Sequence, residues 1–81
     1  MHTEDILIEA YTTTRDEYLD MLDDGIDTAC EQQRAFELAQ DMQDVDTLLS
    51  VYYSGGEVSD MMSEVSDRVA EMLTDYFQEY A

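Results

Sequence analysis

Apolar residues recur along this chain at steps of three and four, the spacing of helices with one buried face. Leu7, Tyr11, Thr14, Tyr18 and Met21 or Leu22 form a first stripe. Ala35, Leu38, Met42, Val45, Leu49 and Tyr52 form a second. Val58, Met61 or Met62, Val65, Val69, Met72 or Leu73, Tyr76 and Tyr80 form a third. The three glycines, Gly25 and the pair Gly55-Gly56, fall between the stripes, and there is no proline. The pattern predicts helices over about 3–24, 28–53 and 57–80. Thr3 is placed to cap the first, with Glu4 and Asp5 in its first turn where the helix dipole favours anions. Thr28 and Glu31 have the spacing of a capping box at the start of the second. The Asp44-Val45-Asp46-Thr47 stretch is poor in helix formers. A continuous or slightly kinked second helix is favoured, although Asp44 or Asp46 could cap a separate short helix near 46–53. Long helices joined by short links imply an all-α fold, a small antiparallel three-helix bundle in a single domain over residues 1–81. A homodimer is the alternative way to cover the Tyr and Met side chains that one small core leaves out.

Charge changes the picture more than composition does. The chain holds 21 Asp and Glu against three arginines (Arg15, Arg34 and Arg68) and no lysine, a formal net charge of -18. Nucleic acid is excluded as a direct ligand, because holding phosphates takes Lys and Arg. Anionic membrane surfaces are excluded likewise. No apolar run approaches the roughly 18 residues of a membrane span, and the N-terminus has no signal-peptide pattern, so an intracellular setting is expected. The single cysteine, Cys30, fits a reducing compartment and reads as a small hydrophobe near a helix start.

The acids are ordered. Asp60, Glu64, Asp67, Glu71, Asp75 and Glu79 follow steps of three and four, which predicts one face of the third helix carrying six carboxylates. Helix one adds Glu9, Asp16, Asp20 and Asp23, with Asp27 close by, and helix two adds Glu31, Glu37, Asp41 and Asp44. Like charges at i,i+4 repel, and only Arg68 is available to relieve the third helix. A bundle about 30–35 Å long would carry about one net charge per 1.7–1.9 Å, against about one per 1.7 Å in duplex DNA. A small, acidic, lysine-free helical chain of this kind resembles the DNA-mimic inhibitors that bacteriophages and mobile elements encode, including anti-restriction and anti-CRISPR proteins. The resemblance implies a non-enzymatic protein without cofactor in the cytoplasm of a bacterial host. Its partner would be a basic nucleic-acid-binding protein or complex, such as a CRISPR effector or restriction enzyme. The candidate partner-binding residues are the six carboxylates of the third helix together with Asp16, Asp20, Asp23, Asp27 and the tyrosine Tyr53. A second likeness concerns Asp46-Thr47-Leu48-Leu49-Ser50-Val51-Tyr52-Tyr53, which is similar to the third helix of colicin nuclease immunity proteins. It too implies an anionic inhibitor of a basic enzyme, docking at an exosite. A salt-adapted helical domain is a further alternative.

Other chemistry is thinly represented. Residues 20–31 resemble an EF-hand calcium loop at Asp20, Asp24, Gly25, Thr28 and Glu31, but Leu22 stands where an oxygen ligand is needed and Asp27 where an aliphatic residue is usual. The Gly25-Ile26-Asp27-Thr28 stretch is faintly similar to the prosthetic-group site of acyl carrier proteins, with Thr28 in place of serine. One His and one Cys fall short of a zinc site. No catalytic or metal-ligating residue is expected. Tyr11, Tyr18, Tyr52 and Tyr76 are expected in the core, Tyr53 and Tyr80 partly exposed.

Overall fold

The computed structural model describes residues 2–80, the side chain of Tyr80 excepted. It is all helical, with α1 over Thr3–Asp24, α2 over Ala29–Tyr53, α3 over Val58–Met61 and α4 over Asp67–Tyr80. α1 and α2 form an antiparallel hairpin. Glu17 meets Arg34 near the link, and Glu4 meets Tyr53 at the opposite end. Gly25 ends α1 with φ +93°, a conformation that side chains disfavour. Thr28 then caps α2 as the sequence predicts: its hydroxyl accepts from the Glu31 N–H, and the Glu31 carboxylate accepts from the Thr28 N–H, both at 3.1 Å. The start of α1 differs. Its N-cap is His2, with no side-chain cap, and Thr3 is already helical.

α2 runs unbroken through Asp44–Thr47, so there is no separate helix at 46–53. Val45 and Leu48 are fully buried there, and their burial outweighs the weak local propensity. The Tyr52-Tyr53 pair therefore closes α2 instead of lying on a third helix of its own. Gly56 then donates to the Val51 carbonyl at 2.9 Å. A Cβ at Gly56 would sit 2.8 Å from Val51 Cγ1, so a side chain here would force Val51 to shift.

The expected helix over 57–80 is broken. α3 is a single turn, and tight i→i+3 turns follow it, with Met62 N–H to Ser59 O and Glu64 N–H to Met61 O. Ser66 starts α4 afresh, its hydroxyl accepting from the Val69 N–H at 3.3 Å. Its own N–H donates to the Asp44 carboxylate of α2 at 3.2 Å. Serines at 59, 63 and 66 favour caps and turns over helix interiors, and the Asp44 contact fixes where the new helix begins. The short fourth helix thus exists, but at 58–61.

The core gathers Ile6, Leu7 and Ala10 of α1, Val45 and Leu48 of α2, Val58 of α3, and Val69 and Leu73 of α4. Tyr11, Tyr52 and Tyr76 pack at its edge, half-buried. α4 has 14 residues against 22 in α1, so it covers only part of the hairpin. Its contacts pass from α2, at Ser66 and Arg68, to α1, at Met72 and Tyr76. No residue from 15 to 34 is buried, so the link end of the hairpin projects beyond the core. The molecule measures 40 × 22 × 20 Å.

Candidate acidic surface

α4 places Asp67, Glu71, Asp75 and Glu79 one turn apart, all exposed. Steps of four advance about 6 Å along the axis and about 40° around it. The row therefore winds, and its ends lie about 120° apart over about 18 Å. It borders two shallow depressions open to solvent. One is lined by Asp67, Glu71 and Asp75 with Ala70 and Thr74, the other by Asp75 and Glu79 with Met72 and Tyr76. Asp60 and Glu64 are exposed but do not continue the row, because the turn at 62–66 separates them from α4. The expected six-carboxylate face is thus a four-carboxylate row with two outliers.

α1 presents Asp16, Asp20 and Asp23 as a second exposed row, and Asp27 is exposed in the link. The Tyr76 hydroxyl donates to Thr13 Oγ1 at 3.5 Å, joining α4 to α1. Thr13 lies one turn before Asp16, and Tyr76 one turn before Glu79. Tyr53 stands apart from both rows, at the far end of the hairpin. It is exposed, donates to Glu4 Oε1 at 3.1 Å and stacks edge-on against Tyr52 at 5.9 Å. Desolvation and the Glu4 carboxylate raise its phenol pKa. The Tyr80 side chain lies outside the described residues.

Two acids that sequence reasoning counts as surface charge turn inward. The Asp41 side chain is 8% exposed and is held by Arg68. Arg68 Nη2 donates to Asp41 Oδ1 at 2.9 Å and Nε to both carboxylate oxygens, and Nη2 also reaches the Glu37 carbonyl. The Asp41 hydrogen bonds raise the Arg68 pKa above its ordinary value. Arg68 therefore does not relieve the α4 row; it ties α4 to α2. With Asp44 on the Ser66 N–H, these two acids position the helix that carries the row. The only signal in the sequence was Asp41's place beside Leu38 and Val45 on the buried stripe.

Of the other arginines, Arg34 is spent locally and Arg15 is only loosely engaged. Arg34 bridges Glu17 at 2.8 Å and Glu37 at 3.6 Å, and Arg15 lies 3.6 Å from Asp16. Dividing the 40 Å long axis by 18 net charges gives about one per 2.2 Å, sparser than the expected 1.7–1.9 Å because the molecule is longer than 30–35 Å. The span that resembles a calcium loop is folded as the end of α1, a four-residue link and the first turn of α2. Glu31 is committed there to the Thr28 cap, which lowers its pKa. Among the described residues no group of three or more His, Cys, Asp or Glu has the arrangement of a metal site, and no helix is long and apolar enough to cross a membrane. No protein-family model, curated protein or solved structure matches the chain.

Proposed function

We propose that this chain is an inhibitor that binds a basic nucleic-acid-binding protein, of the kind represented by CRISPR effectors and restriction enzymes. Its carboxylates would stand where that protein holds phosphates. The observation that carries the reading is the pair of exposed carboxylate rows on α4 and α1, helices joined by the Tyr76–Thr13 contact, with Arg68 and Arg34 turned to other acids. A solvated helix face in an ordinary protein interleaves Lys and Arg among its acids; these rows have none but Arg15 at their margin.

The mechanism needs no chemistry beyond charge and shape. Long-range attraction speeds encounter with a basic cleft, and the spaced carboxylates then satisfy its Lys and Arg side chains. The test is competition. A basic partner captured from bacterial lysate is loaded with labelled DNA or RNA and titrated with this protein. The expected result is displacement of the nucleic acid, with association slowed by salt. Neutralising Asp67, Glu71 and Asp75 together to Asn, Gln and Asn should abolish displacement without loss of helix. Each single change should weaken binding by less than about fivefold. A stable ternary complex of partner, nucleic acid and this protein would refute mimicry.

A further inference from the structure

The α1–α2 hairpin has two sides. α4 covers one, through Asp41 and Asp44 on α2 and Thr13 and Thr14 on α1. The Tyr53–Glu4 contact marks the other. On that open side α1 presents Ile8, Tyr11, Arg15, Leu19 and Leu22, continuing from Glu4 in steps of four and three. α2 presents Gln32, Phe36, Ala39, Gln43, Asp46 and Ser50 at the same spacing, ending at Tyr53. All five large apolar side chains exposed among the described residues lie here: Ile8, Leu19, Leu22, Phe36 and Tyr53. Phe36 is 61% exposed, and Leu19 and Leu22 are 50% exposed. Of the 21 carboxylates only Glu4 and Asp46 stand on these two rows. A chain with one acid in every four residues has left one whole side nearly free of them.

We propose that this side is a self-association surface on which a second copy of the chain packs, hairpin against hairpin, forming a four-helix layer. Charge selects the occupant. Two chains of net charge -18 repel on every approach that sets acidic rows together, and this side alone lets them meet. The face is also self-complementary. Arg15 lies near the middle of α1, on the link side of Glu4 and Asp46, so a two-fold axis lying in the face and perpendicular to the helices runs the hairpins antiparallel and brings the Arg15 of each copy toward the acids of the other. Arg15 is free to be shared, since its present neighbour Asp16 is 3.6 Å away and both are half-exposed. The four-three spacing of both rows is the one that packs helices side by side at about 20°. A face about 33 Å long and two helices wide contributes about 600 Å² per copy, about 1,200 Å² in all, the lower bound of stable interfaces. The dimer keeps the acidic rows of α4 and α1 on its outer surfaces.

Sedimentation equilibrium tests this on the whole chain, from low micromolar to near-millimolar concentration and at two salt levels. The expected result is a species of twice the 9.3 kDa chain mass, whose dimerisation tightens as salt screens the net charge. Phe36→Asp with Leu19→Asp should raise the dissociation constant by about tenfold or more. Both positions are exposed, so helical circular dichroism should be unchanged. Glu71→Gln, on α4, should leave association as strong or stronger. A 9.3 kDa species at every concentration overturns the proposal. So does a dimer indifferent to the double substitution, or a monomer that loses a captured basic partner on Phe36→Asp, which would assign the face to that partner.

Discussion

The two halves of the α1–α2 hairpin are built on different terms. Toward the Glu4–Tyr53 end, α3 and α4 cover the pair, and the core closes on Leu7, Leu48, Val69 and Leu73. Toward the link, residues 15–34 bury nothing completely, and order rests on a capping box, Gly25 and the bridge from Arg34 to Glu17. One half is held by full removal of apolar surface from water; beyond Ala35 and Leu38 the other relies on partial burial, local hydrogen bonds and exposed charge. The first is worth kilocalories per side chain, the second tenths to about one. The link half should therefore behave as an extension that opens without the rest.

The widest gap is expected between paired truncations. Leu48→Ala leaves a cavity in the covered half and should cost about 2–5 kcal/mol in urea unfolding. Leu22→Ala removes a half-exposed side chain and should cost less than about 0.5 kcal/mol in the same titration. Equal losses would erase the distinction. The arginines come next. Arg68→Ala strands Asp41, whose side chain is nearly buried, and should cost about 1–3 kcal/mol after discounting for the 40% exposure of Arg68 itself. Arg34→Ala breaks an exposed bridge and should cost at most about 1 kcal/mol. Thr28→Ala removes a cap worth about 1 kcal/mol. Its effect should appear as faster amide exchange over residues 26–34, with exchange at 41–48 nearly unchanged.

The smallest effect is that of pH. The Thr28 hydroxyl and backbone hold the Glu31 pKa below its ordinary value, so this carboxylate stabilises the fold above its unfolded pKa. That contribution is lost as pH falls below about 4.5 and through the folded value. Glu31→Gln should remove this step from stability measured between pH 6 and 3, and only in the link half. Tyr53 runs the opposite way. Its raised phenol pKa gives stability that is complete below the unfolded value near 10 and lost as pH rises through the folded one. Tyr53→Phe should remove one tyrosine's absorbance change from the part of a spectrophotometric titration above pH 10.

Local chemistry was legible and long-range chemistry was not. The Thr28–Glu31 box, the Gly25 stop and the three apolar stripes each depend on residues within one or two turns, and the all-helical bundle follows from them. The stripes also located the core, to within a neighbour: Leu48 is buried where Leu49 was expected, and Leu22 faces solvent. The favoured continuous second helix is borne out, whereas the break in the third was missed, and both outcomes turn on tertiary contacts. Asp44–Thr47 looks weak in isolation but lies under Val45 and Leu48, while 57–66 keeps helical period but is stopped where Ser66 meets Asp44, 22 residues away. The same blindness made Asp41 a surface charge. The α4 row from Asp67 to Glu79 was legible because a helix alone fixes it. Its extension to Asp60 and Glu64 was not, because that required a helix the tertiary contacts interrupt.

Directing Arg68 to Asp41 has a consequence for the water outside. With no protein cation interleaved, the α4 row must gather its own cloud of mobile cations from solution. A basic surface arriving at Asp67, Glu71 and Asp75 would replace that cloud, and the released ions would gain the entropy that the two proteins lose. Docking would then be driven by the solvent as much as by the contact, in the manner of polyelectrolytes, and its strength should fall linearly with the logarithm of salt concentration.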